Sequence, residues 1–259
     1  MDETTFNDIY VLKIGGRQLD DADFLRDLIH VVRDLRRRRP IVLIHGGGRT
    51  IQLWQQRLGL TPEYVEGLRV TDEASLEVAE AVLSGLVNKY LVALLVNAGV
   101  QAVGISGVDA GLVRVTRMQH PKGDLGRVGD IRQVDPTLIH TLLAARMTPV
   151  ISPISLGHDG LTYNVNADHV ARAVAGALRA ARLYFISDVP GVLIAGQVVR
   201  AMTAPQAEAW IEEGFIHGGM IPKVRSALAA LHAGVHQVVI TNLQGVRDDG
   251  GTAIVPAAD

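Results

Sequence analysis

The sequence predicts a three-layer αβα sandwich around a mainly parallel, open central sheet. Two features carry that prediction. Short aliphatic, β-branched runs alternate with amphipathic helical stretches along the whole chain, and several runs end in glycines or small polar residues that open directly into a helix. Parallel strands need crossovers of this kind, and they bring their carboxyl ends to one edge of the sheet, where ligands gather. No repeat, low-complexity stretch or long linker divides the 259 residues, so they read as one domain.

Each element follows from local pattern. IYVLKIGG (9–16) is a buried strand closed by paired glycines. Phe24, Leu28, Ile29, Val32 and Leu35 recur at helical spacing over 21–38, and Pro40 stops that helix. IVLI (41–44) is a second strand, and Gly46, Gly47 and Gly48 pass into a helix ending near Leu58. Residues 63–72 alternate as an irregular extended segment or hairpin, and a long helix from Glu73 is closed by Gly99. QAVGIS (101–106) is a strand; LVRVTRMQ and GRVGDIRQV pair as a hairpin around HPKGDL. A helix from Pro136 to about Ala145 leads to the strand TPVISPI (148–154). Residues 160–180 pass from strand to helix with Asn166 as N-cap. RLYFISDVPGVLI is a strand and turn, APQAEAWIEEG and MIPKVRSALAALHAG are helices, and QVVIT and TAIV close the chain.

Composition narrows the function. Hydrophobic residues make up 48% and charged residues 20%, the balance of an ordinary globular protein. A net charge of -2 gives no electrostatic footprint for nucleic acid. With no cysteine there is no disulfide, thiolate metal site or cysteine nucleophile. The N-terminus MDETTFNDIYVLK lacks the basic region and apolar run of a secretory signal, and polar residues interrupt the apolar stretches short of a membrane span. Together these predict a cytoplasmic protein with no membrane or nucleic-acid partner. The run DLRRRRP ends a helix, where cations complement the dipole, and reads as a solvated face.

The junctions carry the chemistry. Neither the phosphate-loop signature nor the dinucleotide fingerprint is present, and His232 and His236 are separated by a helix-ending Gly234, so no metal pair is assigned. The three glycines after VLIH raise a different possibility. Each costs extra entropy to order, and three in a row let backbone N–H groups approach an anion at a helix N-terminus. Lys13 lies within VLKIGG, where a lysine must be paired, or must snorkel from a sheet edge. NVNAD (164–168), SDVPGV (187–192) and GGMIPK (218–223) add amides, carboxylates and a second lysine at other junctions.

KIGG, HGGG, GLRVTD, VNK, NVNAD, SDVPGV and GGMIPKV stand in the order found in amino acid kinases, and the chain resembles the acetylglutamate kinase branch of that family over essentially its whole length. The resemblance implies an N-terminal lobe (1–178) binding an acyl amino acid and a C-terminal lobe (179–259) binding ATP. It implies phosphorylation of the side-chain carboxylate of N-acetyl-L-glutamate, the second step of arginine synthesis. In that reading Lys13 and Lys223 flank the transferred phosphoryl group, Asp168 holds both lysines, and the N–H groups of Gly15, Gly16 and Gly47 line its path. Gly46, Gly47, Gly48, Arg69, Asn164 and Asn166 bind the acyl substrate, with the Arg69 fork on its α-carboxylate. Ser187, Asp188, Val189, Gly191, Val192, Phe215, Ile216, His217, Gly219 and Met220 bind ATP, whose phosphates hold Mg²⁺; no tightly bound cofactor and no protein metal site is implied. The residue types suit the task. Unit like charges ~4 Å apart repel by about 4 kcal/mol at an effective dielectric of ~20, so a carboxylate attacking a γ-phosphate needs fixed positive groups. It needs no base, being ionised already.

Two other readings make different predictions. Related kinases phosphorylate an aminoadipate, N-acetylated or linked to an acidic carrier protein, for lysine synthesis. Arg114, Arg117, Lys122, Arg127 and Arg132 give one hairpin a basic excess that could meet such a carrier or simply be solvated. GRVGDI, with Arg127 in place of the commoner His, resembles the acetylglutamate pattern. A non-catalytic nucleotide or amino-acid sensor of the same fold would be free to lose Lys13, Asp168 or Lys223, and all are present. In this family arginine inhibition accompanies an extra N-terminal helix that links dimers into a hexamer. The short acidic segment before Ile9 has no apolar stripe, so a homodimer insensitive to arginine is expected. Its interface is expected on Leu76, Val78, Val82, Leu83, Leu86, Val87, Leu91 and Leu95 of the long helix.

Overall fold

The computed structural model describes residues 8–256. The N-terminal segment on which the hexamer argument rests lies almost wholly outside them. The order is β1 (Tyr10–Ile14), α1 (Ala22–Arg36), β2 (Ile41–His45), α2 (Gly48–Arg57), the hairpin β3 (Tyr64–Val65) and β4 (Leu68–Arg69), α3 (Glu73–Glu80) and α4 (Asn88–Asn97). Next come β5 (Ala102–Gly107), β6 (Val113–Arg117), β7 (Gly129–Val134), α5 (Thr137–Ala144), β8 (Thr148–Gly157), β9 (Thr162–Asn164), α6 (Ala167–Ala177) and β10 (Arg182–Ile186). The hairpin β11 (Leu193–Ile194) and β12 (Gln197–Val198) precedes β13 (Ala201–Thr203), α7 (Ala204–Glu212), α8 (Met220–His232), β14 (Val238–Thr241), α9 (Leu243–Asp248) and β15 (Thr252–Val255).

The main sheet runs β13-β15-β14-β10-β1-β2-β8-β6-β7, with β5 and β9 also paired to β8. Strands β14, β10, β1, β2 and β8 are mutually parallel, so their carboxyl ends share one edge. Antiparallel pairs (β6–β7, β8–β9 and β14–β15) are confined to the outer parts. Helices cover both faces, and strand alternation sends successive side chains to different cores. Val11, Val42 and Ile44 join the core under α6 and α8, whereas Leu12, Ile14 and Leu43 join the core under α1 and the α3–α4 rod.

Local chemistry sets the helix starts. Asp21 caps α1 by accepting from the N–H groups of Asp23 and Phe24, Asp72 caps α3, and Thr203 with Gln206 forms a capping box on α7. The long helix is not uniform: residues Ala81–Val87 between α3 and α4 are π-helical. Hydrophobic spacing does not report such a turn, because one extra residue shifts the face without breaking the apolar run. The rod is long and apolar enough to cross a membrane by length and composition, but it packs along the sheet. This alters the expected partner surface. Leu76, Val78, Val82, Leu83, Val87, Leu91 and Leu95 are buried within the chain itself, and of the expected set only Leu86 is exposed, at 48%. Tyr90 and Val96 on the rod, with Trp54 and Leu58 from the end of α2, are the other exposed large apolar residues there.

Candidate active site

Five strand ends meet at the carboxyl edge of the sheet and enclose two cavities. The smaller, about 230 Å³, is bounded by Gly16, Gly46–Gly48, Arg69, Asn164 and Asn166. The larger, about 1000 Å³, is bounded by Lys13, Gly15, Ser187, Asp188, Val189, Gly219, Met220, Lys223 and Asn242. Gly16 and Gly48 belong to both walls, so the glycine loops form the seam between them.

The glycines allow that seam to close. A Cβ on Gly16 would lie 2.7 Å from the Gly47 nitrogen and 3.0 Å from that of Gly48. Any side chain there would push the β1 and β2 loops apart and cover both amides. A Cβ on Gly47 would meet Leu83 Cδ2 of the π-helical turn at 2.7 Å. Gly47 gives α2 no side-chain cap, so its first-turn N–H groups remain available to a ligand. Gly15 and Gly46 are different, since their N–H groups already donate to Gln18 Oε1 (3.3 Å) and the Ile14 carbonyl (3.0 Å).

Lys13 shares the parity of Val11 and so faces α6. Its Nζ lies 2.6 Å from Asp168 Oδ1, with only 16% of the lysine side chain exposed. Asp168 Oδ1 is buried and is met by the Lys13 ammonium as an ion pair, which leaves part of the ammonium's three-donor capacity for a ligand. Asn166 caps α6 by accepting from the Asp168 N–H at 2.8 Å, which fixes the carboxylate's starting point. Asp168 does not hold both lysines. Lys223, in the first turn of α8, reaches across to the end of β10, where Nζ donates to Ser187 Oγ at 2.7 Å and lies 3.7 Å from Asp188 Oδ1. The Asp188 carboxyl is held below the usual range, first by its own backbone N–H and then by the Ser187 hydroxyl.

In the smaller cavity, Arg69 is held by a relay that sequence reasoning missed. One terminal nitrogen donates to Gln55 Oε1, and the other to the Gly48 carbonyl at 2.9 Å, while the guanidinium stacks over Tyr64 at 4.8 Å. Buried Gln55 donates in turn to Ser75 Oγ (2.9 Å), and Ser75 is tied to the α3 cap Asp72. Burial pulls the Arg69 pKa down, yet three of its five N–H donors stay free for a ligand. Asn164, lining the same cavity, donates to Thr71 Oγ1 at 3.3 Å, and that hydroxyl donates to the Arg69 carbonyl at 3.0 Å.

Five residues expected at ATP do not line the larger cavity. Val192 and Ile216 are core residues, each 1% exposed: the Val192 N–H donates to Thr252 of β15, and the Ile216 N–H to the Trp210 carbonyl of α7. A Cβ on Gly191 would strike Thr252 Oγ1 at 2.7 Å, so that glycine serves packing. Phe215 and His217 are surface residues beyond the rim. Their places in the wall are taken by Arg17, Gln18, Arg49, Asn242 and Gln244. Asn242 caps the short helix α9, too brief for periodicity to reveal.

Comparison with known proteins places the chain among relatives of one family. The description of the amino acid kinase family matches residues 8–242. The chain is 52% identical to an acetylglutamate kinase of Roseiflexus sp. (strain RS-1) over 245 residues, covering 94% of this chain and 92% of that one. It is 50% identical to an acetylglutamate kinase of Chloroflexus aurantiacus (strain ATCC 29366 / DSM 635 / J-10-fl) over 243 residues, covering 93% and 95%. A crystal structure of a Streptococcus mutans UA159 protein superposes with a TM-score of 0.82 at 33% identity, covering 97% of this chain and all of that one.

Proposed function

The chain belongs to the amino acid kinase family, and on that premise we propose how its two cavities act together. It transfers the γ-phosphoryl group of ATP to the side-chain carboxylate of N-acetyl-L-glutamate, a step of arginine biosynthesis. A carboxylate oxygen bonds to the γ-phosphorus, the bond to the β,γ-bridging oxygen breaks, and ADP leaves with that electron pair. The observation that carries the reading is the seam. A small pocket holding an arginine fork and an amide opens through Gly16 and Gly48 onto a cleft four times larger that holds two lysines.

Residue roles follow from position. Arg69 and Asn164 take the α-carboxylate and acyl-amino group of the substrate, turning its side chain toward the seam. Lys13 meets the developing charge there, steadied by Asp168, and the Gly47 and Gly48 N–H groups supply uncharged donors. Lys223, resting on Ser187, approaches the triphosphate from the other side. Among the described residues no three His, Asp or Glu side chains are grouped to cage an ion. In this reading Mg²⁺ enters with ATP, carried by its phosphates and water.

The basic hairpin bears on substrate choice. Arg117 pairs with Asp124, Lys122 with Glu66, Arg127 with Glu73 and Arg132 with Asp130, so these charges are met within the chain rather than offered to an acidic carrier. A hydroxamate assay tests the reading by comparing N-acetylglutamate, N-acetyl-aminoadipate and carrier-linked aminoadipate. Turnover on the first alone is expected, and preference for either aminoadipate would overturn it. We also propose a cytoplasmic homodimer closed over the exposed Trp54, Leu58, Leu86 and Tyr90. Light scattering should report a dimer that Leu86→Glu converts to monomer.

A further inference from the structure

Two sequence motifs, HGGG and VNK, meet at a cluster that the roles above leave unused. His45 ends β2 and is fully buried. Strand alternation turns it with Leu43 toward the α3–α4 layer, on the opposite face of the sheet from Lys13 and Asp168. Its Nδ1 lies 2.9 Å from the Gly46 carbonyl oxygen, and its Nε2 lies 3.1 Å from Nδ2 of Asn88, the first residue of α4.

The direction of each bond can be derived. Asn88 Nδ2 also faces the Val150 carbonyl at 2.9 Å, and Asn88 Oδ1 accepts from Lys89 Nζ at 3.0 Å. Lys89 is itself anchored on the Gly104 carbonyl at 2.9 Å. The amide nitrogen can only donate, so His45 Nε2 accepts and the ring proton sits on Nδ1, pointing at Gly46. Burial keeps the ring neutral, lowering its pKa to about 4.

The peptide itself extends the chain of orientation. No described peptide bond is cis, so the Gly46 carbonyl and the Gly47 N–H point in opposite directions within one plane. Flanked by glycines, that plane has the least steric resistance to turning over. A carbonyl held on the His45 side sends the Gly47 N–H to the Gly16 side, into the seam. We infer that His45 is a positioning residue: fixed in one tautomer by Asn88 and Lys89, it locks the Gly46–Gly47 peptide so that the Gly47 N–H faces the phosphoryl group in flight. The inference rests on the reaction proposed above, and adds a control that acts from the far side of the sheet.

Three variants test it. Losing an aligned donor costs roughly 100- to 1000-fold in turnover, and misdirecting one costs less. His45→Leu should therefore lose about 10- to 100-fold in kcat, with both KM values within about threefold. His45→Asn keeps a donor at the Nδ1 position and should recover most of that loss, which a purely structural role would not produce. Asn88→Leu leaves His45 in place but frees its tautomer, and should show an intermediate loss; it decides the matter if His45→Leu does not fold. Wild-type kcat in the folded variant, or a crystal structure of it with the Gly46–Gly47 peptide unturned, overturns the inference. Wild-type protein inactive on N-acetylglutamate would refute the substrate reading alone, and the peptide orientation in the variant crystals would still decide this one.

Discussion

The two cavities that share the glycine seam are held together differently. In the smaller cavity the polar side chains already have protein partners: Arg69 on Gln55 and Gly48, Asn164 on Thr71, and Asn166 on the Asp168 N–H. In the larger cavity Lys223 donates to one hydroxyl, with 35% of its side chain exposed, and the Asp188 side chain is 82% exposed. The pocket is about a quarter of the cleft's volume. The contrast teaches where selectivity resides. A small pre-tied pocket loses little entropy on binding and penalises a misfit, whereas a wide cleft lined by partly exposed charges suits a polyanion gripped by electrostatics.

The largest effect should fall on the seam itself. Lys13→Ala is expected to cut kcat by two to four decades, since it removes a charge from the reacting centre and leaves buried Asp168 Oδ1 unpaired. Lys223→Ala should cost less than Lys13→Ala, because the Lys223 side chain is itself 35% exposed and water can take its place. Steady-state kinetics of both variants check the order, and the reverse order would give the larger share of charge stabilisation to Lys223.

Gly16→Ala should cost about 100-fold in kcat, because its Cβ meets backbone that cannot yield, and small displacements at a reacting centre are expensive. Gly47→Ala meets only the flexible end of Leu83 and should cost about tenfold or less. Equal losses would mean that the seam is not set by backbone-to-backbone contact.

Arg69→Lys keeps the charge but cannot bridge Gln55 and Gly48 while still offering a fork. The KM for N-acetylglutamate should rise about 10- to 100-fold, the worth of one or two charged hydrogen bonds, while the KM for ATP holds. A rise in the ATP KM instead would mean that Arg69 serves the cleft.

The smallest effect concerns stability. His45 stays neutral in the fold down to about pH 4, but the unfolded chain protonates it near its ordinary pKa of 6.5. The unfolded state therefore binds the extra proton between these values, and stability falls as pH drops from about 6.5 toward 4. Wild-type Tm should decline more steeply than that of His45→Leu across this window, by a few degrees. Parallel Tm curves would show that the ring is not buried in its neutral form.

Much of this was legible in the chain. Strand β1, helix α1 with its stop at Pro40, the hairpin after Glu63, the Asn166 cap and the parallel core of the sheet all follow from periodicity, capping residues and glycine punctuation, which act over a few residues. Lys13 stands out as a lysine inside a buried strand, and Asp168 as a carboxylate at the strand–helix junction NVNAD. Less was legible where the decisive contact is distant in sequence. Val192 and Ile216 look like parts of a nucleotide loop, yet both are buried in the core, Val192 tied to Thr252, 60 residues on.

The sequence by itself determined which residues end the parallel strands, because hydrophobic pattern and backbone permissiveness are local properties of each segment. The tertiary structure alone decided which of those ends touch. It gave Asp168 to Lys13 and Ser187 to Lys223, set Gln55 behind Arg69, and brought Asn88 through the π-helical turn to His45. Those pairings depend on strand order and on the parity of each side chain across the sheet. Both are fixed only when the layers pack, since a shift of one residue turns every side chain to the other face.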